Sequence, residues 1–273
     1  MLEPDKLYNK INEFGKRNVI EKLHNLYPKC SKEERIRILE LLNRIGDSDH
    51  YETIENYFIS DENPEVRIEA AKLLAFNYDK KKAIKPLIWM LKNEIKFEIK
   101  IQLIHLLVAL SYKEEFRQFI VQTLCGMLED ENIKIQLEAI ESLILIKEES
   151  LSEKLMDLAE SNNKLIRLRA IRALGSFNIQ KSVPFLLKNL RKESLDEWTV
   201  TFDALRKILD EKFSKILLEK YQEIKTGKKD LNTAKLRYGI AKAMGELNNP
   251  KFRKALKQME NDKHYWIREM ATE

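Results

Sequence analysis

The sequence predicts an all-α fold, a right-handed α-solenoid of about seven or eight stacked two-helix repeats. Three observations lead there. A motif returns every 31 to 36 residues along nearly the whole chain. Its apolar positions fall at i, i+4 and i+8, one stripe of an amphipathic helix. Glycine (7) and proline (6) are scarce in 273 residues, where about 7% and 5% are usual, and a sheet-rich fold needs such residues at its many turns.

The repeat is clearest when residues 61–75, DENPEVRIEAAKLLA, are set beside 161–175, SNNKLIRLRAIRALG. Both give a polar turn, an apolar anchor, Arg, two spacers, Ala, three more residues and Leu. In chain order the anchors are Glu34 (a weaker copy), Val66, Ile99, Ile135, Ile166, Val200, Leu236 and Ile267. A second helix follows each first one: residues 82–91 (KAIKPLIWML), 181–190 (KSVPFLLKNL) and 251–259 (KFRKALKQM) align. Pro64 and Pro250 stand where helices should start, since a missing N–H costs nothing in a first turn. Gly175 and Gly245 stand nine residues after their anchors, where first helices should end. Each unit leaves an apolar face that only a stacked neighbour hides. Residues 1–273 therefore read as one solenoid, with 1–30 as atypical capping helices, 31–263 as repeats and 264–273 as an incomplete final repeat. That last helix should expose Trp266 and Ile267 unless the native chain continues or something packs on them.

With its Asp/Asn-rich turn, Val-Arg, Ala and Leu-Gly pattern, the chain from about Ser31 resembles HEAT-like repeats of the phycobilisome-lyase type. The resemblance implies a ladder in which Arg67, Arg167, Arg237 and Arg268 satisfy carboxylates or carbonyls of neighbouring turns. Gln136 and Thr201 interrupt it.

Composition excludes several classes. With 44% hydrophobic and 34% charged residues, the chain can bury a core, and disorder is not expected. No run approaches the roughly 20 apolar residues of a membrane span, and the N-terminus lacks the pattern of a signal peptide. Cys30 and Cys125 read as unpaired thiols of a reducing compartment, so a cytoplasmic location is expected. Lys29 beside Cys30 would lower its pKa. Residues 1–210 carry 34 Lys+Arg against 35 Asp+Glu, and 211–273 carry 15 against 9, so the basic excess of the chain lies at its C-terminal end.

No catalytic constellation emerges. His24, His50, His105 and His264 never fall within five residues of one another. A helix-borne metal site wants ligands at i and i+3 or i+4, so no metal centre and no cofactor are expected. Deoxyhypusine hydroxylase, an iron enzyme of similar repeats, depends on His-Glu pairs that this chain lacks. His105, in an apolar run, reads as a hydrogen-bonded packing residue. Alkylpurine DNA glycosylases, also built on HEAT-like repeats, use an acid and aromatics, for which Asp196, Glu197 and Trp198, with Trp89 and Trp266, are the available residues. Packing is the simpler role for Trp198, and the chain lacks a basic array through its middle.

The expectation is a non-catalytic scaffold or adaptor, not an enzyme, that binds a protein or peptide on the concave face lined by second helices. The positions before the last core leucine should point outward: Trp89 and Met90, Gly126 and Met127, Met156 and Asp157, Lys188 and Asn189, Lys257 and Gln258. That path runs from apolar and sulfur-rich to basic, although Trp89, Met127 and Met156 could equally be inter-repeat core. Lys80, Lys81, Lys82 and Lys85 form a basic patch, matched loosely by Lys225, Lys228 and Lys229. The alternatives are a nucleic-acid binder related to the glycosylases and an assembly or lyase-type subunit acting with a second chain.

Overall fold

The computed structural model describes residues 3–147, 151–189, 195–209, 211–226 and 231–272, which contain eighteen α-helices and no strand. The chain divides into two compact units, Met1–Ile146 and Lys147–Glu273. In the first, α1 (Glu3–Tyr8), α2 (Ile11–Phe14) and α3 (Lys16–Leu26) precede three helix pairs and a single helix. The pairs are α4 (Lys32–Ile45) with α5 (Tyr51–Ser60), α6 (Pro64–Asn77) with α7 (Lys80–Asn93), and α8 (Phe97–Leu110) with α9 (Glu114–Met127); α10 (Ile133–Ile146) follows. The second unit opens with α11 (Ser152–Leu158) and continues with α12 (Lys164–Ser176), α13 (Val183–Asn189), α14 (Leu195–Leu209) and α15 (Glu211–Thr226). It closes with α16 (Leu231–Leu247), α17 (Arg253–Met259) and α18 (Tyr265–Thr272).

Every anchor falls in a first helix, and the residues four and eight positions beyond it are buried, from Ile38 and Leu42 in α4 to Ile240 and Met244 in α16. These stripes pack each first helix on the next, α4 on α6, α6 on α8 and α8 on α10 in the first unit, α12 on α14 and α14 on α16 in the second. Val200 and Leu236 are only half-buried, while the next residues, Thr201 and Arg237, are buried. There the core-facing stripe begins one residue later than the motif suggests. In α18, Ile267 is buried and Trp266 is half-buried, edge-on to Tyr238 at 5.5 Å.

Helix boundaries follow local chemistry. Ser31 and Glu34 form a reciprocal capping box at α4. Asn63, Asp79 and Asn163 cap α6, α7 and α12 with their side-chain oxygens. Pro64 is the first residue of α6, and Pro250 opens the 3-10 turn leading into α17. Gly175 and Gly245, expected as helix stops, both lie inside helices. The left-handed residues that follow are Asn178 (φ 53°) and Asn248 (φ 44°), three positions later. Asparagine tolerates that conformation because its short amide bonds locally. Pro86 sits inside α7 and cannot donate to the carbonyl of Lys82, four residues earlier. The Tyr51 hydroxyl donates to that carbonyl instead, at 3.1 Å.

The basic residue after each anchor ties one turn to the next. Arg35 reaches Asp61 and Glu62, at 3.3 and 3.2 Å. Arg67 donates to Glu94 at 2.6 Å, Lys100 to Asp130 at 2.7 Å, Arg167 to Glu197 at 2.6 Å and Arg237 to Asp262 at 2.6 Å. Arg67, Arg167 and Arg268 also donate to the backbone carbonyl six residues earlier. Gln136 keeps that backbone bond, to Asp130 O at 2.7 Å, but its neutral amide gives up the ionic one. Thr201 turns its hydroxyl back to Glu197 O.

The ladder carries a pH dependence. Burial works against ionisation of Glu94, Asp130 and Asp262, but bonds from backbone N–H groups and from Arg67, Lys100 and Arg237 outweigh it and hold all three below the ordinary carboxylate range. A carboxylate with a depressed folded pKa stabilises the fold above its unfolded pKa and loses that contribution as pH falls. Thermal melting should therefore be flat between about pH 5.5 and 7 and fall steeply below about pH 4.5, where unfolded carboxylates begin to bind protons. Glu94→Gln should flatten the acid limb, and an unchanged slope would remove the ladder as its cause.

Candidate functional site

The face made by the second helices of the first unit carries an open groove of 500 Å³ between α7 and α9. From α7 come Lys81, Ile84, Lys85, Ile88, Trp89 and Lys92, at the spacing of one helical face, and from α9 come Glu115, Phe116 and Phe119. Ile84 and Phe116 are buried and form the floor. Trp89 and Phe119 stand above it, 54% and 62% exposed, two large aromatics in water. Asn93 donates to the Trp89 carbonyl at 2.7 Å, closing the last turn of α7.

Cations ring this apolar surface. Lys80 donates to the Tyr112 hydroxyl at 2.6 Å, Lys81 pairs with Glu115 at 3.3 Å, and Lys82 lies 5.6 Å over the Tyr51 ring. Three of the four lysines of the expected patch are thus engaged locally. Lys85 is exposed, as is Lys92, and neither has an ion-pair partner among the described residues.

The other expected positions divide. Trp89 points outward, as the second-helix alignment requires, but Met90 is 6% exposed and belongs to the core. Adjacent helical residues differ by about 100° in direction, so one of the two must turn inward. For the same reason Asn189 is buried while Lys188 is exposed. Met127 and Met156 are half-buried, and Lys257 is exposed on α17 in the second unit. Lys225 donates to Gln258 at 2.7 Å; Lys228 and Lys229 lie outside the described residues. Phe119, Lys92 and Glu115 were not anticipated. Counting back from Leu128, just past α9, points to Gly126 and Met127, two turns beyond the residue that lines the groove with Trp89.

The acid–aromatic cluster does not assemble. Trp198 is 1% exposed and Glu197 4%, and Glu197 is occupied by Arg167. Cys30 and Cys125 form no disulfide with each other and are half-buried. The pKa of Cys30 is raised, not lowered as Lys29 suggested, first by burial and then by Glu34. His105 is exposed, bonded to Glu138 at 2.8 Å, on the solvent side of α8 and not in its packing.

The histidines correct the sequence reading further. His24, near the end of α3, and His50, just before α5, both meet Asp47 in the α4–α5 turn. His24 Nε2 lies 2.9 Å from Oδ2 and His50 Nδ1 lies 3.0 Å from Oδ1. Asp47 follows Gly46, whose φ of 76° ends α4 in the left-handed conformation and turns the chain inward. Spacing along one helix misses the trio because its members come from a helix end and a turn in separate repeats.

No helix among the described residues is long and apolar enough to cross a membrane. Among curated proteins, none matches the sequence. Of solved structures, YibA of Escherichia coli is 16% identical, with a TM-score of 0.53 over 100% of this chain and 96% of that one, a likeness of fold. Human deoxyhypusine hydroxylase, in complex with glycerol, is 16% identical over 96% of each chain, with a TM-score of 0.40. That an enzyme stands among the similar structures overturns the expectation that the chain is not one: HEAT-like repeats do not exclude catalysis. The likeness transfers no activity. The phycobilisome-lyase subtype gains no support. HEAT repeats are recognised over residues 20–108 and 121–212, and with them the stacked first helices and their basic ladder find their place: the chain belongs to the HEAT-repeat family.

Proposed function

We propose that the chain is a binding protein whose α7–α9 groove holds an amphipathic peptide or helix of a protein partner, with apolar side chains at its centre and acidic residues at its flanks. The observation that carries this reading is the pairing of Trp89 and Phe119, both more than half exposed, over an apolar floor. Large aromatics in water are costly to maintain and supply the anchors of protein interfaces. Charge fixes the flanks. Among the described residues Lys85 and Lys92 form no ion pair, so an acidic segment would neutralise them and a basic one would be repelled.

A fluorescein-labelled helical peptide with Leu and Trp at i, i+4 and i+7, flanked by Glu, is the probe. By fluorescence anisotropy, Trp89→Ala should weaken its binding at least tenfold, more than about 1.4 kcal/mol, and Phe119→Ala should act in the same direction. Melting of the Trp89→Ala variant should stay within about 0.5 kcal/mol of the parent, as for surface substitutions. Lys85→Glu should weaken the Glu-flanked peptide and strengthen a Lys-flanked one. A large loss of stability with undiminished peptide binding would refute the groove.

A further inference from the structure

We infer that His24, Asp47 and His50 form a binding site for a divalent transition cation of the zinc type. Their candidate ligand atoms all lie within 4.8 Å of one another. Two donors on one tetrahedral metal, each at about 2.0–2.1 Å, stand about 3.3 Å apart, so the 2.9 and 3.0 Å separations around Asp47 need only small side-chain rotations to receive an ion. Imidazole nitrogen with carboxylate oxygen is a donor set that suits Zn²⁺ and leaves a position open for water.

Charge argues for the cation. The Asp47 carboxylate is 1% exposed, and among the described residues neither Lys nor Arg pairs with it; its side-chain partners are His24, His50 and Tyr78. Buried charges are paired or coordinate metals, and neither Lys nor Arg supplies the countercharge here. A divalent ion held by the carboxylate and two imidazole nitrogens would leave a net charge of +1, shared with solvent through the half-exposed His50.

The surroundings fit ligation as well. His24 Nδ1 lies 3.3 Å from the Tyr57 hydroxyl, which fixes the ring and leaves Nε2 facing the carboxylate. Asp49 N–H donates to Asp47 Oδ1 at 3.2 Å. The Tyr78 hydroxyl is buried beside Asp47 and directed at its carboxylate, a further group that orients the would-be ligand. The converging trio and the buried carboxylate without a Lys or Arg partner thus have one common solution. A hydrogen-bonded His–Asp–His network is the competing account, and it predicts no affinity for metal.

The test uses the full chain, stripped with chelator and titrated near neutral pH with Zn²⁺ by calorimetry and with Co²⁺ by visible absorption. The expected result is saturation at one equivalent, with a four- or five-coordinate Co²⁺ spectrum that Zn²⁺ abolishes. His50→Ala removes a half-exposed side chain and should leave the circular dichroism unchanged while weakening Zn²⁺ at least tenfold. His105→Ala should bind as the parent does. If Asp47→Asn or His24→Gln fails to fold, the His50 variant decides alone. Absence of saturable binding overturns the site, as does binding that His50→Ala leaves intact or that His105→Ala weakens equally.

Discussion

Replacing Arg167 with alanine should destabilise the second unit by about 3 kcal/mol or more, because it leaves a buried carboxylate without its cation. The guanidinium places two N–H groups on Glu197 Oε1, at 3.0 and 2.6 Å, and a third nitrogen on the carbonyls of Ser161 and Asn162, at 2.8 and 3.0 Å. Glu197 is 4% exposed. Truncation thus strands one buried charge, the costly part, and releases the carbonyls of the half-buried Ser161 and the exposed Asn162. Glu197→Gln should cost less, since an amide still accepts from the guanidinium and buries no charge. The internal control is Arg17→Ala. Its pair with Glu21 is an exposed i, i+4 contact at 3.3 Å, and such pairs contribute little. Trp198, buried beside Glu197, supplies the signal: in a Trp89→Phe, Trp266→Phe background, urea unfolding followed by its fluorescence reports this unit. A shift equivalent to less than about 1 kcal/mol for Arg167→Ala would mean that the ladder is ornamental and that the apolar stripes hold the repeats without it.

That ladder also separates what sequence makes legible from what it leaves hidden. The first helices were readable because a helix buries one stripe. Ala70 and Leu74, Ala170 and Leu174 repeat the same two volumes at the same two spacings, and nothing but a neighbouring helix covers them. The resemblance to HEAT-like repeats assigned Arg67 and Arg167 to the turns, and their acceptors do lie within the motif, at Asp61 and Ser161. Direction around a second helix was not readable. Trp89 and Met90 are adjacent and similarly apolar, so only the packing of α7 shows which one faces water. Phe119 has no motif position to mark it, and only its place across the groove from Trp89 gives it meaning. The His24–Asp47–His50 cluster is hidden more deeply. Its members are 23 and 3 residues from the central aspartate, and the left-handed turn at Gly46 that brings them together is not encoded in any ligand spacing. Of the groove, sequence supplied one aromatic and one free lysine, Trp89 and Lys85. Phe119 and Lys92 required the fold.

Glycine supplies the second large effect, with a sign that depends on position. Gly175 lies inside α12, where α12 and α14 pack together. A Cβ at Gly175 would stand 2.6 Å from Ala204 Cα and 2.8 Å from Ala204 Cβ. Ordinary carbon contacts are about 3.5–4.0 Å, and the obstruction is backbone, which cannot rotate aside. Gly175→Ala must push the helices apart and should destabilise the chain by about 2–3 kcal/mol, as overpacking does. That loss is net of about 1 kcal/mol that alanine gains over glycine in helix propensity. The same substitution at Gly126 or Gly245, also helical, meets nothing within 4 Å and should stabilise by about 0.5–1 kcal/mol. Gly239 falls between: its Cβ would meet Phe202 Cε2 at 3.1 Å, the edge of a side chain that can yield slightly. The series Gly175, Gly239, Gly245 to alanine should therefore run from a lowered to a raised melting temperature in that order. Were Gly175→Ala to stabilise the chain as Gly245→Ala does, glycine would be serving there as sequence suggests, as a relic of a helix end. A fall at Gly175 alone would mean that it sets the closest approach of two repeats, with Asn178 ending the helix in its place.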